Sequence, residues 1–495
     1  MLLLVSFLVN YVGHGGPLGW AQERIVEIDQ INNWKNQNKL PLFMTATCKF
    51  AAFDDPEKVS AGEYLLLNNN GGAIALLTTT RLVYSVPNYN LNKNFINVLY
   101  EKQNGDYPRL GDLYKQTKVL SGSGSNTRNF ILLGDPALSL AYPKYNVSTT
   151  SISDTIKALQ TVTVSGEITD DNGLVLDDFN GVLTPTIFDK EIISYTLGQE
   201  SCSPMPYKNQ TSILYKGEVS VNAGEFSFSF VVPKDIDNNF ANGKISYYAQ
   251  NSFYEDASGY DDSFVIGGVA ENIAYDYDSP VISLFINNRN FIDGGITNSN
   301  PLLIVDVEDI SGINTVGNGI GHDITAILDN NSTNPFILNE YYKSDLDNFR
   351  KGTVEFPFNN LSNGEHSVTF KIWDVFNNSS EKTINFLVTD DGIATISDFL
   401  NYPNPFNNGT DFYFQNNQAV QVMDINIQIY TVTGRLVKTI NESFYNDGFR
   451  VGPISWDGKS SNGENLSAGL YIANLNINLE NGKFETKSIR IAITP

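Results

Sequence analysis

Leu40-Pro41-Leu42-Phe43-Met44-Thr45-Ala46-Thr47-Cys48 is the stretch on which the reading of the fold turns. Leu40 to Ala46 is a largely apolar run, too short for an ordinary helix, and a threonine and a cysteine follow it. A strand covered on one face alternates apolar and polar residues. A run that is apolar throughout fits a strand covered on both faces, as in a parallel sheet flanked by helices. A second such run, Leu2 to Val12, precedes it and leads into Gly13-His14-Gly15-Gly16, and two more lie at 73–79 and 130–133.

Helical patterns separate these runs. Glu23 to Lys35 places Ile25, Ile28, Ile31 and Trp34 at helical spacing. Ser60 to Asn68 opens with Ser60-Ala61-Gly62-Glu63, a capping-box pattern. Leu91 to Lys102 and Arg109 to Leu120 also read as helices. Strands alternating with helices make residues 1–142 an α/β unit built on a parallel sheet.

After Pro143 the helical signal stops and period-two strands with Asn-Gly and Asp-Gly turns take over. Gly224-Glu225-Phe226-Ser227-Phe228-Ser229-Phe230 and His366-Ser367-Val368-Thr369-Phe370-Lys371-Ile372 are examples. Two β-sandwiches fit, over 143–270 and 271–390. A third small sandwich fits 391–495, which opens with Tyr402-Pro403-Asn404-Pro405-Phe406 and runs on through Ala468-Gly469-Leu470-Tyr471.

Composition narrows the functional classes. The net charge of −23 repels phosphate backbones and anionic lipid, which argues against nucleic-acid partners. Two cysteines in 495 residues cannot form a disulfide framework, and Cys202 reads as a spectator thiol in a loop. Met1 to Val9 has neither a basic segment before it nor a small-residue cleavage site after it, so it reads as an interior strand and not a signal peptide. No stretch approaches the roughly 20 apolar residues of a membrane-spanning helix.

His14 and Cys48 each stand just past a strand end. Residues at the C-terminal ends of neighbouring parallel strands meet in one crevice. A thiol, an imidazole and nearby backbone N–H groups are what cysteine-peptidase chemistry requires. Gly15 and Cys48 supply candidate oxyanion N–H groups. The bland reading stays beside this one: a packed cysteine and a turn histidine. His14 has no second histidine or cysteine at ligand spacing, so no metal site is read there. His322 and His366 read as structural. Asp54, Asp55 and Glu63 could orient His14 or hold a structural calcium ion, or else cap helices and face water. Arg81, after Thr78-Thr79-Thr80, could meet a substrate carboxylate or pair with Asp54.

His14 within Gly-His-Gly-Gly and Cys48 after Thr-Ala-Thr, 34 positions apart, resemble the gingipain family of caspase-like cysteine peptidases. Phe53-Asp54-Asp55-Pro56, Gly72 to Arg81, Leu133-Gly134-Asp135-Pro136-Ala137-Leu138, Ser311-Gly312-Ile313-Asn314 and Gly319-Ile320-Gly321-His322-Asp323-Ile324 resemble its type IX secretion branch. The implied fold is a partial caspase-like α/β parallel sheet followed by three Ig-like β-sandwiches. The implied activity is that of a sortase at the cell surface, on the outer membrane. It removes C-terminal sorting domains from secreted cargo and links the cargo to a lipopolysaccharide acceptor. Cys48 would be the nucleophile and His14 the acid/base, with no cofactor required. Residues 391–495 would be a retained sorting-type domain that docks to an outer-membrane β-barrel partner. Family members carry a long region before this histidine, so the chain is expected to be the later part of a longer protein, inactive by itself. Two other readings stand beside the sortase: a secreted gingipain-like protease that is itself cargo, and a non-catalytic surface adhesin.

Overall fold

The structure, a computed structural model, describes residues 7–103, 105–198, 202–271, 273–316, 321–389, 396–417, 421–446, 450–479 and 484–495. The start of the Leu2–Val12 run, and Gly319 and Ile320 of the quoted motifs, lie outside the described residues. The chain divides into two compact units, Met1–Tyr142 and Pro143–Pro495.

The N-terminal unit is built on a four-stranded sheet in the order β1 (Leu8–Val12), β2 (Leu42–Ala46), β3 (Ala75–Thr79) and β4 (Phe130–Leu133). β1, β2 and β3 are parallel, and β4 runs antiparallel to β3. The connections explain the reversal. One crossover helix returns the chain to the end where a strand began; two successive helices leave it where the strand finished. Between β3 and β4 lie the two long helices α3 (Ser85–Leu99) and α4 (Leu110–Leu120), so β4 enters from the opposite end. The short α5 (Ser125–Arg128) precedes β4 directly.

Every residue of β2 and β3 is buried. Leu42, Met44 and Ala46 pack with Leu77, Phe95, Leu113 and Phe130 on one face. Phe43 packs with Val9, Phe50, Leu65 and Leu76 on the other. Coverage on both faces is the physical reason for the unbroken apolar runs.

Helix boundaries differ from expectation in two places. The helix expected over 23–35 shortens to α1 (Ile28–Asn32). Ala21 and Arg24 adopt left-handed backbone, and the segment before α1 is spent on short strands at Gly15–Gly16, Gly19–Trp20 and Val26–Glu27. α3 begins at Ser85 and not Leu91, with Pro87 in its first turn, where a missing N–H costs nothing. α2 (Ala61–Leu67) carries the expected capping box between Ser60 and Glu63.

Among the described residues the C-terminal unit is β-structure apart from one 3-10 turn at Asn339–Tyr341, with three buried cores. The first surrounds an eight-stranded and a three-stranded sheet formed mainly by residues 145–269. The second lies between a four-stranded sheet containing Leu302–Glu308 and a five-stranded sheet containing Gly364–Trp373. The third lies between sheets of three and four strands over 396–493. Burial alternates along these strands, as along Glu225–Val231, so period two marks one inward and one outward face. The first two cores interlock: Val316 is 1% exposed within the first core, and the Thr315 hydroxyl donates to the Ile213 carbonyl at 2.9 Å.

Candidate active site

The β1–β2 register pairs Leu8 with Leu42 and Val12 with Ala46. His14 and Cys48 therefore stand at equivalent positions, two residues beyond the paired strand ends. Pairing runs one residue further, since the Gly13 N–H donates to the Ala46 carbonyl at 3.4 Å. The His14 carbonyl accepts from the Tyr11 hydroxyl at 2.6 Å and from the Ala21 N–H at 2.9 Å. Tyr11 in turn stacks on Trp20, ring centroids 4.4 Å apart. The His14 backbone is thus fixed while its side chain is exposed.

Gly15 is where the His14 and Cys48 segments meet. A Cβ there would lie 2.5 Å from the Thr47 hydroxyl oxygen and 3.0 Å from the Gly19 carbonyl, so only glycine fits. Gly16 has open space around the same position.

Cys48 is half-buried, and Thr47 before it is fully buried. The Thr47 carbonyl accepts from the Thr79 hydroxyl, which fixes the end of β2 to β3. Lys49, directly after the cysteine, takes a left-handed φ of 49°, and its N–H donates to the Arg81 carbonyl at 3.2 Å. Backbone strain of this kind persists only where surrounding structure holds it. The Cys48 thiol donates to the Val83 carbonyl at 3.5 Å. Both cysteines are free thiols.

The remaining candidates resolve as follows. Arg81 grips Asp54 with two nitrogens, at 3.0 and 2.6 Å, so the described contact is the pairing alternative and not a free guanidinium. Hydrogen bonding to Arg81 holds the Asp54 carboxyl below its ordinary range, and the same bond raises Arg81. Glu63 accepts from the Ser60 N–H at 2.8 Å and hydroxyl at 2.6 Å, and Asp55 accepts from the Glu57 N–H at 3.0 Å. These carboxylates are thus occupied by local caps and turns. His322 bonds Asp235 at 2.6 Å and His366 bonds Asp329 at 2.7 Å, both in the C-terminal unit.

One acidic group went unread in the sequence. Asp276, Asp309 and Asp374 offer carboxylate oxygens within 4.8 Å of one another. Burial pushes the Asp309 carboxyl up to about 7, with the charges of Asp374 and Asp276 adding to it. Burial raises Asp374 as well. The three lie far apart in the chain, and no local spacing announces them.

Residues 6–141 match the model of peptidase family C25. That span is nearly the whole N-terminal unit and contains both His14 and Cys48, so this unit is similar to that peptidase family. Among solved structures, the chain is similar to the dimeric latent PorU from Porphyromonas gingivalis. The identity is 28%, over 80% of this chain and 39% of that one, with a TM-score of 0.33. It is also similar to the Arg-specific cysteine proteinase gingipain R, at 15% identity over 53% of each chain, with a TM-score of 0.27. The chain thus spans 39% of the length of the PorU chain it matches. No curated protein matches it. Among the described residues, no helix is long and apolar enough to cross a membrane.

Proposed function

We propose that this chain carries the nucleophile-bearing part of a cell-surface cysteine endopeptidase and transpeptidase. It would cut C-terminal sorting domains from type IX secretion cargo and pass the cargo to a lipopolysaccharide-linked amine. The observation that carries the reading is the equivalent placement of His14 and Cys48 past paired strand ends, within the segment that matches family C25.

The chemistry follows from the residue types. The Cys48 thiolate attacks the scissile carbonyl carbon, and backbone N–H groups at Gly15 and Cys48 face the developing oxyanion. The C–N bond then breaks, His14 protonates the leaving amine, and the cargo remains as a thioester on Sγ. An amine acceptor attacks the thioester, His14 takes its proton, and Cys48 is released. Water in place of the amine gives hydrolysis. The Arg81–Asp54 pair would have to open before Arg81 reached a substrate carboxylate.

The test uses both cysteines of the intact chain. At neutral pH, iodoacetamide is expected to modify Cys48 faster than the exposed Cys202, and His14→Ala is expected to slow Cys48 about tenfold while sparing Cys202. Equal rates at Cys48 with and without His14 would sink the dyad. For transfer, a cargo protein with a sorting domain is incubated with the chain and a soluble amine. A product heavier by the amine supports transpeptidation, and a product of hydrolysis mass alone removes that half of the proposal.

A further inference from the structure

Residues 80–84 cross the Cys48 thiol with their backbone pinned at every residue. The Thr80 N–H donates to the Asn129 carbonyl at 3.0 Å. The Arg81 carbonyl accepts from Lys49 at 3.2 Å. The Leu82 carbonyl accepts from the Asn129 side-chain amide at 2.9 Å. The Val83 carbonyl accepts from the Cys48 thiol at 3.5 Å, and the Tyr84 N–H donates to the Asn126 side-chain oxygen at 2.7 Å. Asn126 continues inward: its amide donates to the Asn88 oxygen at 3.1 Å, and the Asn88 amide donates to the Ala46 carbonyl at 3.2 Å. A buried asparagine chain therefore ties the end of β2, two residues before Cys48, to the loop that faces the thiol.

Side-chain packing anchors this loop at Val83, which belongs to the core with Leu42, Met44 and Leu77. Leu82 is 61% and Tyr84 71% exposed, and among residues 81–84 only Val83 is buried. The residues on either side of it are held by the Asn126 side-chain oxygen, which accepts from the Tyr84 N–H, and the Asn129 side-chain amide, which donates to the Leu82 carbonyl. Removing either side chain leaves a backbone group of the loop without its partner, so these contacts are specific restraints.

We propose that Asn126 and Asn129 are positioning residues of the candidate active site, which keep the Val83 carbonyl on the Cys48 thiol so that the nucleophile rests capped. An S–H donates to a carbonyl and a thiolate does not. Attack therefore requires the Val83 carbonyl to leave Sγ, and the stiffness of residues 80–84 sets how readily it leaves. The inference rests on the reading of Cys48 as nucleophile.

The test compares modification at the two cysteines of one chain. Asn126→Ala and Asn129→Ala are each expected to raise the iodoacetamide rate at Cys48 at least threefold and leave Cys202 unchanged. Asn126→Asp, which retains an acceptor for the Tyr84 N–H, is expected to stay nearer the parent rate. An unchanged ratio of Cys48 to Cys202 in both alanine variants overturns the proposal. A second measurement needs no substitution. Modifying Cys48 in the parent chain removes the S–H donor and adds bulk, so amide hydrogen exchange over 80–84 is expected to quicken while β2 and β3 stay protected. Unchanged exchange over 80–84 also overturns it. The His14→Ala result reports separately on the dyad, so the two readings fail independently.

Discussion

In the N-terminal unit all five residues of β2 and all five of β3 are buried, whereas along Gly364–Trp373 in the C-terminal unit burial alternates. A strand covered on both faces has no side chain left for chemistry except at its ends. Reactive residues of such a sheet gather where strands stop, and His14, Cys48 and the pinned 80–84 loop all lie past strand ends. A sandwich strand shows half its side chains to water along its whole length. Its polar residues form ladders, such as Thr163 with Ser229 at 2.8 Å and Thr369 with Thr383 at 2.9 Å. The comparison teaches where to look for reactivity in each unit.

The sharpest way to break the comparison is to empty each kind of core. Phe43→Ala in β2 is expected to cost about 3–5 kcal/mol. It should lower the denaturant midpoint of the N-terminal unit and leave that of the C-terminal unit in place. Phe370→Ala should do the reverse at similar cost. A single transition that shifts with either variant would mean that the two units unfold as one.

Gly15→Ala tests the meeting point of the His14 and Cys48 segments. Its methyl collides with the Thr47 hydroxyl, and overpacking of this kind costs roughly 1–3 kcal/mol. Slower modification of Cys48 should accompany the loss. A variant that is destabilised yet equally reactive would confine Gly15 to a packing role.

The C-terminal unit offers a pH signature of its own. Asp309 is raised from 3.8 to about 7 chiefly by burial. Between those values the folded chain holds a proton that the unfolded chain has lost, so stability falls as pH rises through the window. Asp309→Asn is expected to remove roughly one proton from the slope of stability against pH. A slope unchanged by the substitution would show that Asp309 does not carry it. The smallest effect belongs to Arg81→Ala, because the Arg81–Asp54 pair is exposed and solvent screens it. No measurable shift in thermal midpoint is expected, and a clear fall would mean that the pair helps to hold the 80–84 loop.

Much of the fold was legible because burial writes itself into period. The unbroken run ending at Ala46 marked a doubly covered strand, and Phe226, Phe228 and Phe230 marked a sandwich face. The Ser60–Glu63 box marked the start of α2, since capping is local chemistry. What escaped depends on distance along the chain. The reversal of β4 follows from how α3 and α4 pair, and the late start of the helix expected from Glu23 follows from a small sheet made with Gly15 and Trp20. In the site, the positions of His14 and Cys48 could be read from strand ends. The asparagine chain from Ala46 through Asn88 and Asn126 to Tyr84 could not, because it joins residues of two helices, α3 and α5, that only tertiary structure brings together. Asp276, Asp309 and Asp374 converge only through tertiary structure.

The place of Val316 within the core of the first β-domain bears on how the chain comes to be folded. That core begins at Val147, so one of its buried side chains is supplied about 170 residues later. Closing so long a loop is slow, and a chain delivered from its N-terminal end presents the earlier residues first. The first β-domain therefore reaches its final packing only after residue 316 has arrived. Until then the surface reserved for Val316 is open, and the first two β-domains mature as a pair.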